Sequence, residues 1–427
     1  MTAGLLTGRP LSDMQLSMLA HETIGGLPIY TMPLCFEITG AVDAPALEAA
    51  LHLVVRRHPV LRSTYADGRA AEATDTVPLP ALGVGIVRDG ADGAIAALAR
   101  LWETPMDLAT RMPVRAGLVS VAPDRHFLGL AVHHVAGDSW SLALFLEELG
   151  TAYGALRGGR VPVLPPAPDF FAHAAEEQSR TWDLTWWRER LDGVRPQPPA
   201  RTVPPTADEQ GALHALGLDL DATDTRGVRE LARTARVSPT AVLFTAVSLA
   251  VGHTTGGETT SGESTVGLPV VLRDTQELQS AMGPLLNTLP VRTTWRPDAS
   301  SVELVQAHGA AIDAALAHKD VPYSRILKAA GTHRRPGSAP LFLHVVNADT
   351  ETPRLRLSGV RSTLRPVTPK WAIFPAHWEF SWKAVGNIRG FLQVSADAFT
   401  AAQARECAGR FRSNLTRLLA AEMKGFS

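Results

Sequence analysis

Residues 131–141 read AVHHVAGDSWS: two adjacent histidines, His133 and His134, then Asp138 four positions after the second. The stretch stands between an apolar run, HFLGLAV at 126–132, and SLALFLEELGTAYGAL at 141–156, whose apolar residues recur every three or four positions. A short apolar run that follows the turn Ala122-Pro123-Asp124-Arg125 predicts a buried strand, and the three-to-four spacing predicts an amphipathic helix. An imidazole is thus delivered where a strand ends and a carboxylate where a helix begins. Strand ends facing a cleft are the usual seat of chemistry in α/β folds, which makes His134 a catalytic candidate. Adjacent strand residues point to opposite faces, so His133 takes a structural role and the pair does not suit a shared metal. No Cys or Glu lies at ligand spacing nearby, and metal binding is rejected. Asp138 also reads as a helix N-cap, accepting a backbone N–H of the first turn.

Composition narrows the function classes. The chain has 427 residues, enough for two ordinary domains, with 45% hydrophobic and 19% charged residues. A net charge of -1 leaves no basic excess to neutralise phosphates, so nucleic acid is not expected as a partner. No apolar run approaches a membrane span, and the start MTAGLLTGRPLSDMQ lacks the charged and apolar regions of a signal peptide. The only cysteines, Cys35 and Cys407, are far apart in sequence, which fits a reducing cytoplasm without a disulfide framework.

Outward from the histidines, strand and helix signals alternate. TMPLCFEITG reads as a strand, and Asp43 with Pro45 opens a helix bearing Leu47, Leu51, Val54 and Val55, stopped near Pro59. A tryptophan-rich helix is expected over 169–192. RPQPPARTVPPTADEQG, rich in proline and polar residues, reads as the linker of the chain. Beyond it come the strand HALGLDL, the helices TRGVRELARTARV and SPTAVLFTAVSLAVGH, a surface loop GGETTSGEST, and the strands STVGLPVVLR, LLNTLPVRTTW and PLFLHVVNA. The expected organisation is an N-terminal lobe over 1–194, a linker over 195–210 and a C-terminal lobe over 211–427, both lobes of α/β type around a ligand cleft.

With these elements in place, the chain resembles a condensation domain of nonribosomal peptide synthetases over nearly its whole length. HHVAGDSWS is similar to the family's core motif, with Trp140 and Ser141 in the usual continuation. LSDMQLSMLAHE matches the first family motif through Ser12 and Gln15, and RRHPVLRSTY a further one through Arg57, His58, Leu61 and Arg62. PDFFAHA with WWRERLDG resembles the segment leading to the lobe connection. LLNTLPVR supplies Asn287, Thr288 and Arg292, and AHKDVPYSRIL and SAPLFLHVVN resemble the last motifs.

The resemblance implies two chloramphenicol acetyltransferase-like lobes, two-layered α+β, forming a V with a tunnel at their junction. It implies that peptidyl carrier proteins bring substrates on phosphopantetheine arms, that no cofactor is bound directly, and that an amide forms beside His134. Asp138 would then be structural, paired with an arginine of the other lobe at the position of Arg273. Ser139, Trp140, Asn347 and Trp378 are assigned to the substrate channel. The tryptophan-rich stretch TPKWAIFPAHWEFSWK, which holds Trp378, also reads as strand core packing. Ser139 departs from the family, which has Gly after the Asp, and this puts substrate scope in doubt. The two histidines distinguish the chain from the oxygenase-recruiting variant, which loses the second. A free-standing, monomeric enzyme is expected, acting on a carrier-bound or small-molecule acceptor. Ester formation with an alcohol and a catalytically silent carrier-docking module remain as alternatives.

Overall fold

The run before the histidine pair is the strand Arg125–His133, buried over almost its whole length. In the computed structural model it lies at the centre of a five-stranded sheet ordered Arg361–Arg365, Thr31–Thr39, Arg125–His133, Val114–Ala122 and Leu82–Ile86. The structure describes residues 8–72, 77–194, 197, 199–202, 205, 211–255, 262–296, 298–331, 341–348, 353–382 and 387–423. All pairings in this sheet are antiparallel except the last, where Leu82–Ile86 runs parallel to Val114–Ala122. One face is covered by the helices Ala44–Arg57 and Ser139–Arg157, whose Leu47, Leu51, Val54, Phe145, Leu146 and Leu149 close the main core. The other face packs against Gly90–Glu103 through Ala94, Leu98 and Trp102.

Two compact units result. The first contains Met1–Thr181, Val271–Leu286 and Thr352–Pro369; the second contains Trp182–Val270, Asn287–Glu351 and Lys370–Ser427. The segments 271–286 and 352–369, which the sequence assigns to the C-terminal lobe, therefore pack with the first unit. Met282, Leu285, Leu355 and Leu357 enter its core. Gly283 makes this approach feasible: its φ is +154°, and a Cβ there would stand 2.0 Å from the Phe170 ring.

The second unit is built on a six-stranded mixed sheet ordered Leu286–Trp295, Gly262–Val271, His344–Ala348, Ala376–Trp382, Ile388–Ser395 and Leu213–Gly217. Ala222–Ala235, Pro239–Thr255, Ser301–Leu316 and Ala401–Met423 are its principal helices. Pro239–Thr255 is apolar all round, and its residues Ala241–Gly252 are all buried. Among the described residues no single helix is long and apolar enough to cross a membrane.

Two local expectations need correction. The helix over 169–192 is two helices, Phe170–Ser179 and Thr185–Arg190. Arg180 turns extended, and Asp183 accepts from the Thr185 N–H at 2.9 Å to begin the second. Of GGETTSGEST, residues 256–261 lie outside the described residues, while GEST opens the strand Gly262–Val271 instead of lying in a loop. The linker, part of which also lies outside the described residues, is anchored where it is described. Gln197 is buried, donates to Thr265 O at 3.1 Å and accepts from Leu343 N–H at 3.0 Å.

Candidate active site

At the end of Arg125–His133 the backbone tightens into one 3₁₀ turn, His134–Ala136, before Asp138 caps the helix Ser139–Arg157. His133 is fully buried. Its Nδ1 accepts the Val135 N–H at 3.0 Å and its Nε2 meets Glu22 Oε2 at 2.8 Å. His134 is half-buried, its N–H donating to Tyr30 O at 2.7 Å and its ring standing edge-on to Tyr30 at 6.4 Å. Its Nδ1 is enclosed with no described group at hydrogen-bond geometry, which leaves the Nε2 edge as the accessible one. Burial lowers the His134 pKa below its ordinary value, while Asp138 and the backbone of His134 and Gly137 pull it upward. At neutral pH the ring is an uncharged base.

Asp138 is held more tightly. Its carboxylate accepts from Ser141 N–H at 2.8 Å, Ser141 Oγ at 2.8 Å and Leu285 N–H at 3.1 Å. Arg273 Nη2 reaches both oxygens, at 2.8 and 3.0 Å, and both side chains are almost fully buried. Arg273 also donates to the carbonyls of Leu278, Ala281 and Gly283, so one guanidinium ties the 271–286 segment to the helix start. Gly137 is required by contact: a Cβ there would lie 2.8 Å from Ser141 Cβ. A buried charge pair with every oxygen engaged serves as a rigid fastening, because losing either partner strands the other.

The other assigned residues separate. Ser139 is exposed at the first position of the helix. Trp140 is 44% exposed, donates from its indole to Gln279 O at 2.8 Å and lies with its ring 5.8 Å from the Arg273 guanidinium. Asn347 and Trp378 belong to the second unit, where Asn347 is half-buried near the end of His344–Ala348. Trp378 is corrected from channel wall to core residue: it has no exposure, packs 5.4 Å from the Phe411 ring and donates its indole N–H to His344 Nδ1 at 3.1 Å. The period of strand side chains turns it inward with Phe380.

Sequence reasoning missed Glu22 and Tyr30. A signal existed: Glu22 follows Gln15 by seven residues, two helical turns, on the helix Asp13–Gly25, so both lie on one face. Several motif residues outside the site hold the fold. Arg57 and His58 both meet Glu148, at 3.1 and 2.8 Å. Asn287 donates to the carbonyls of Lys319 and Val321 and accepts from Tyr323 N–H. Among the described residues no group of three or more His, Cys, Asp or Glu is placed to hold a metal.

A family model described as Condensation domain matches residues 7–421. The chain belongs to the condensation domain family. The condensation domain is 32% identical over 379 residues to a probable non-canonical nonribosomal peptide synthetase, CymA, of Salinispora arenicola, covering 84% of this chain and 5% of that protein. It is 28% identical over 421 residues to the isonitrile lipopeptide synthase of Mycobacterium tuberculosis, covering 92% of this chain and 16% of that protein. The chain thus spans a small part of the curated relatives it matches. Among solved structures, the X-domain in complex with OxyB from teicoplanin biosynthesis superposes with a TM-score of 0.84 at 24% identity, over 99% of this chain and 95% of that one. The first condensation domain of the calcium-dependent antibiotic synthetase gives a TM-score of 0.75 at 23% identity, with 97% of both chains covered. These likenesses show the mixed α/β fold of condensation domains. The curated relatives that this chain matches are nonribosomal peptide synthetases.

Proposed function

We propose that this condensation domain is an acyltransferase that joins an acyl or aminoacyl group, held as a thioester on the phosphopantetheine arm of a carrier protein, to an amine, with His134 at the reacting centre. The amine nitrogen attacks the thioester carbonyl, the C–N bond forms and the C–S bond breaks. The proton lost by nitrogen passes through His134 to the departing thiolate. The observation that carries the reading is the placement of His134: an imidazole with an accessible Nε2 edge on a turn fixed through His133, Tyr30 and Asp138, whose burial lowers its pKa below the ordinary value. An uncharged imidazole has the lone pair that an ammonium acceptor requires. No bound cofactor takes part in this scheme, and the acceptor is free or carried on a second arm. An alcohol in place of the amine gives an ester by the same bond changes.

Product formation from a loaded carrier protein, read by mass spectrometry, tests it. His134→Ala is expected to lose about 10²–10⁴-fold in rate. A folded His134→Ala protein that turns over at the parental rate would remove His134 from the chemistry. A second reading, a silent docking module, takes its support from the likeness to an X-domain whose structure is a complex with OxyB. Carrier binding without turnover, across a broad donor and acceptor panel, would favour that reading.

A further inference from the structure

Deepening that reading, we infer that Glu22 is a positioning residue which sets the His133 tautomer and, through Tyr30, the placement of His134. The helix Asp13–Gly25 starts in a capping box in which the Ser12 hydroxyl takes the Gln15 N–H and the Gln15 side chain takes the Ser12 N–H. The same Gln15 amide donates to Val135 O at 2.8 Å, so the helix start grips the turn that carries the histidines. Two helical turns later on that face, Glu22 uses both of its oxygens. Oε2 meets His133 Nε2 at 2.8 Å, and Oε1 accepts the Tyr30 N–H at 3.0 Å.

The tautomer follows from the partners alone. His133 Nδ1 accepts the Val135 N–H, so it carries no proton, and the ring proton sits on Nε2 facing the Glu22 carboxylate. Tyr30, held by Glu22 at its N–H, receives the His134 N–H on its carbonyl at 2.7 Å and lays its ring edge-on to the His134 imidazole. The Tyr30 hydroxyl meets His21 Nδ1 at 3.0 Å, which fixes that ring from its far end. Main-chain groups on both sides of the His134 ring are therefore anchored to one carboxylate: Val135 through His133, and the His134 N–H through Tyr30. Orientation acts on the chemical step more than on binding, and a misplacement of about 1 Å is enough to lose about 10²-fold.

Glu22→Gln is the decisive variant because it keeps the size and removes one acceptor. The amide has one carbonyl for two N–H donors, and its NH₂ must face either His133 Nε2–H or Tyr30 N–H. The expected result is a fall in kcat of about 10–100-fold with KM held within about twofold, and ¹⁵N-detected imidazole shifts of His133 displaced from those of the parent, because a neutral amide replaces the carboxylate at Nε2–H. Glu22→Asp, with both acceptors on a shorter arm, should recover part of kcat. It carries the same two measurements if Glu22→Gln does not fold. An unchanged kcat, a loss confined to KM, or a kcat loss with the His133 spectrum unchanged would each overturn the inference. The imidazole spectrum needs no turnover. Absence of activity in the parent protein would therefore count against the acyltransferase reading, while the imidazole shifts would still decide the role of Glu22.

Discussion

His58 and His133 of the first unit and the buried histidines of the second unit are held by different means, while His126, buried in the first unit against the Ser120 hydroxyl, follows the pattern of the second. In the first unit, His58 and His133 each meet a carboxylate, Glu148 and Glu22, and the adjoining Asp138 is neutralised by Arg273. In the second, His308 and His344 are sealed among apolar and hydroxyl groups with no carboxylate partner among the described residues. His308 Nδ1 donates to Leu304 O at 2.7 Å, and its Nε2 accepts from Ser248 Oγ, which also meets Ser264 and Thr293. His344 receives only the Trp378 indole N–H among the contacts described. Burial pushes their pKa values down, to about 4 for His308 and about 3 for His344. A hydrogen bond to a carboxylate holds a ring in a fixed direction, as a reacting centre requires, whereas burial among neutral groups only has to fill space with satisfied polar atoms. His58 and His133 are thus held for orientation, and His308 and His344 within a closed core.

The largest effect is expected where the pairing is broken. Arg273→Ala leaves Asp138 buried with only neutral donors and releases the carbonyls of Leu278, Ala281 and Gly283, so a loss of about 3–5 kcal/mol is expected. Asp138→Asn with Arg273→Met gives the first unit the neutral burial of the second, and should cost less than the two single changes added together. Denaturant unfolding of the four proteins measures the coupling. Strict additivity would show that the 2.8 Å contact carries no interaction energy.

A smaller effect, of the other kind, should appear in acid. The unfolded chain titrates its histidines near 6.5, above the folded values, so between pH 6.5 and about 4 for His308, or about 3 for His344, it binds more protons than the native state. Stability therefore falls as pH drops through that window and levels off below it, by about 2 kcal/mol per group between pH 7 and pH 5. His344→Gln keeps an acceptor for the Trp378 indole and does not titrate, so its loss over that interval should be smaller by about that amount. Hydrogen exchange at pH 5 should show His344–Ala348 opening before Arg125–His133. Equal pH dependence in the parent and in His344→Gln would break the contrast between the two groups of histidines.

That contrast was only half legible in the sequence. The strands over 31–39 and 125–133, the helix over 44–57 and the helix after Asp138 follow from periodicity and capping residues, which are local signals. The position of His134 at a strand end follows from the same reading. What escaped is non-local. The grouping of 271–286 with the first unit depends on Arg273 finding Asp138 and on Gly283 clearing the Phe170 ring. For Trp378 the strand period already offered core packing beside a channel wall, and Phe411 and His344 packed on it decide between the two. The role of Glu22 needs its two donors, His133 and Tyr30, which lie 111 and 8 residues away.

The smallest effect on folding is expected at Ser139, where the charge-fastened unit meets the outside. Its side chain is exposed at the first position of the helix, and the cap is supplied by Asp138 and not by Ser139. Ser139→Gly should therefore cost at most about 1 kcal/mol, the helix penalty of glycine, and leave the Asp138 and Arg273 contacts in place. We propose that the hydroxyl shapes the donor or acceptor channel beside His134. Such a group acts through relative rates on different substrates and not through stability. The measurement is a panel of acyl donors and amine acceptors of graded size, run on both proteins beside their unfolding midpoints. A shifted profile at a nearly constant midpoint assigns Ser139 to selection. A midpoint that falls steeply would place its side chain in the same fastening as Asp138, and would extend charge-anchored rigidity one residue further than the contacts now show.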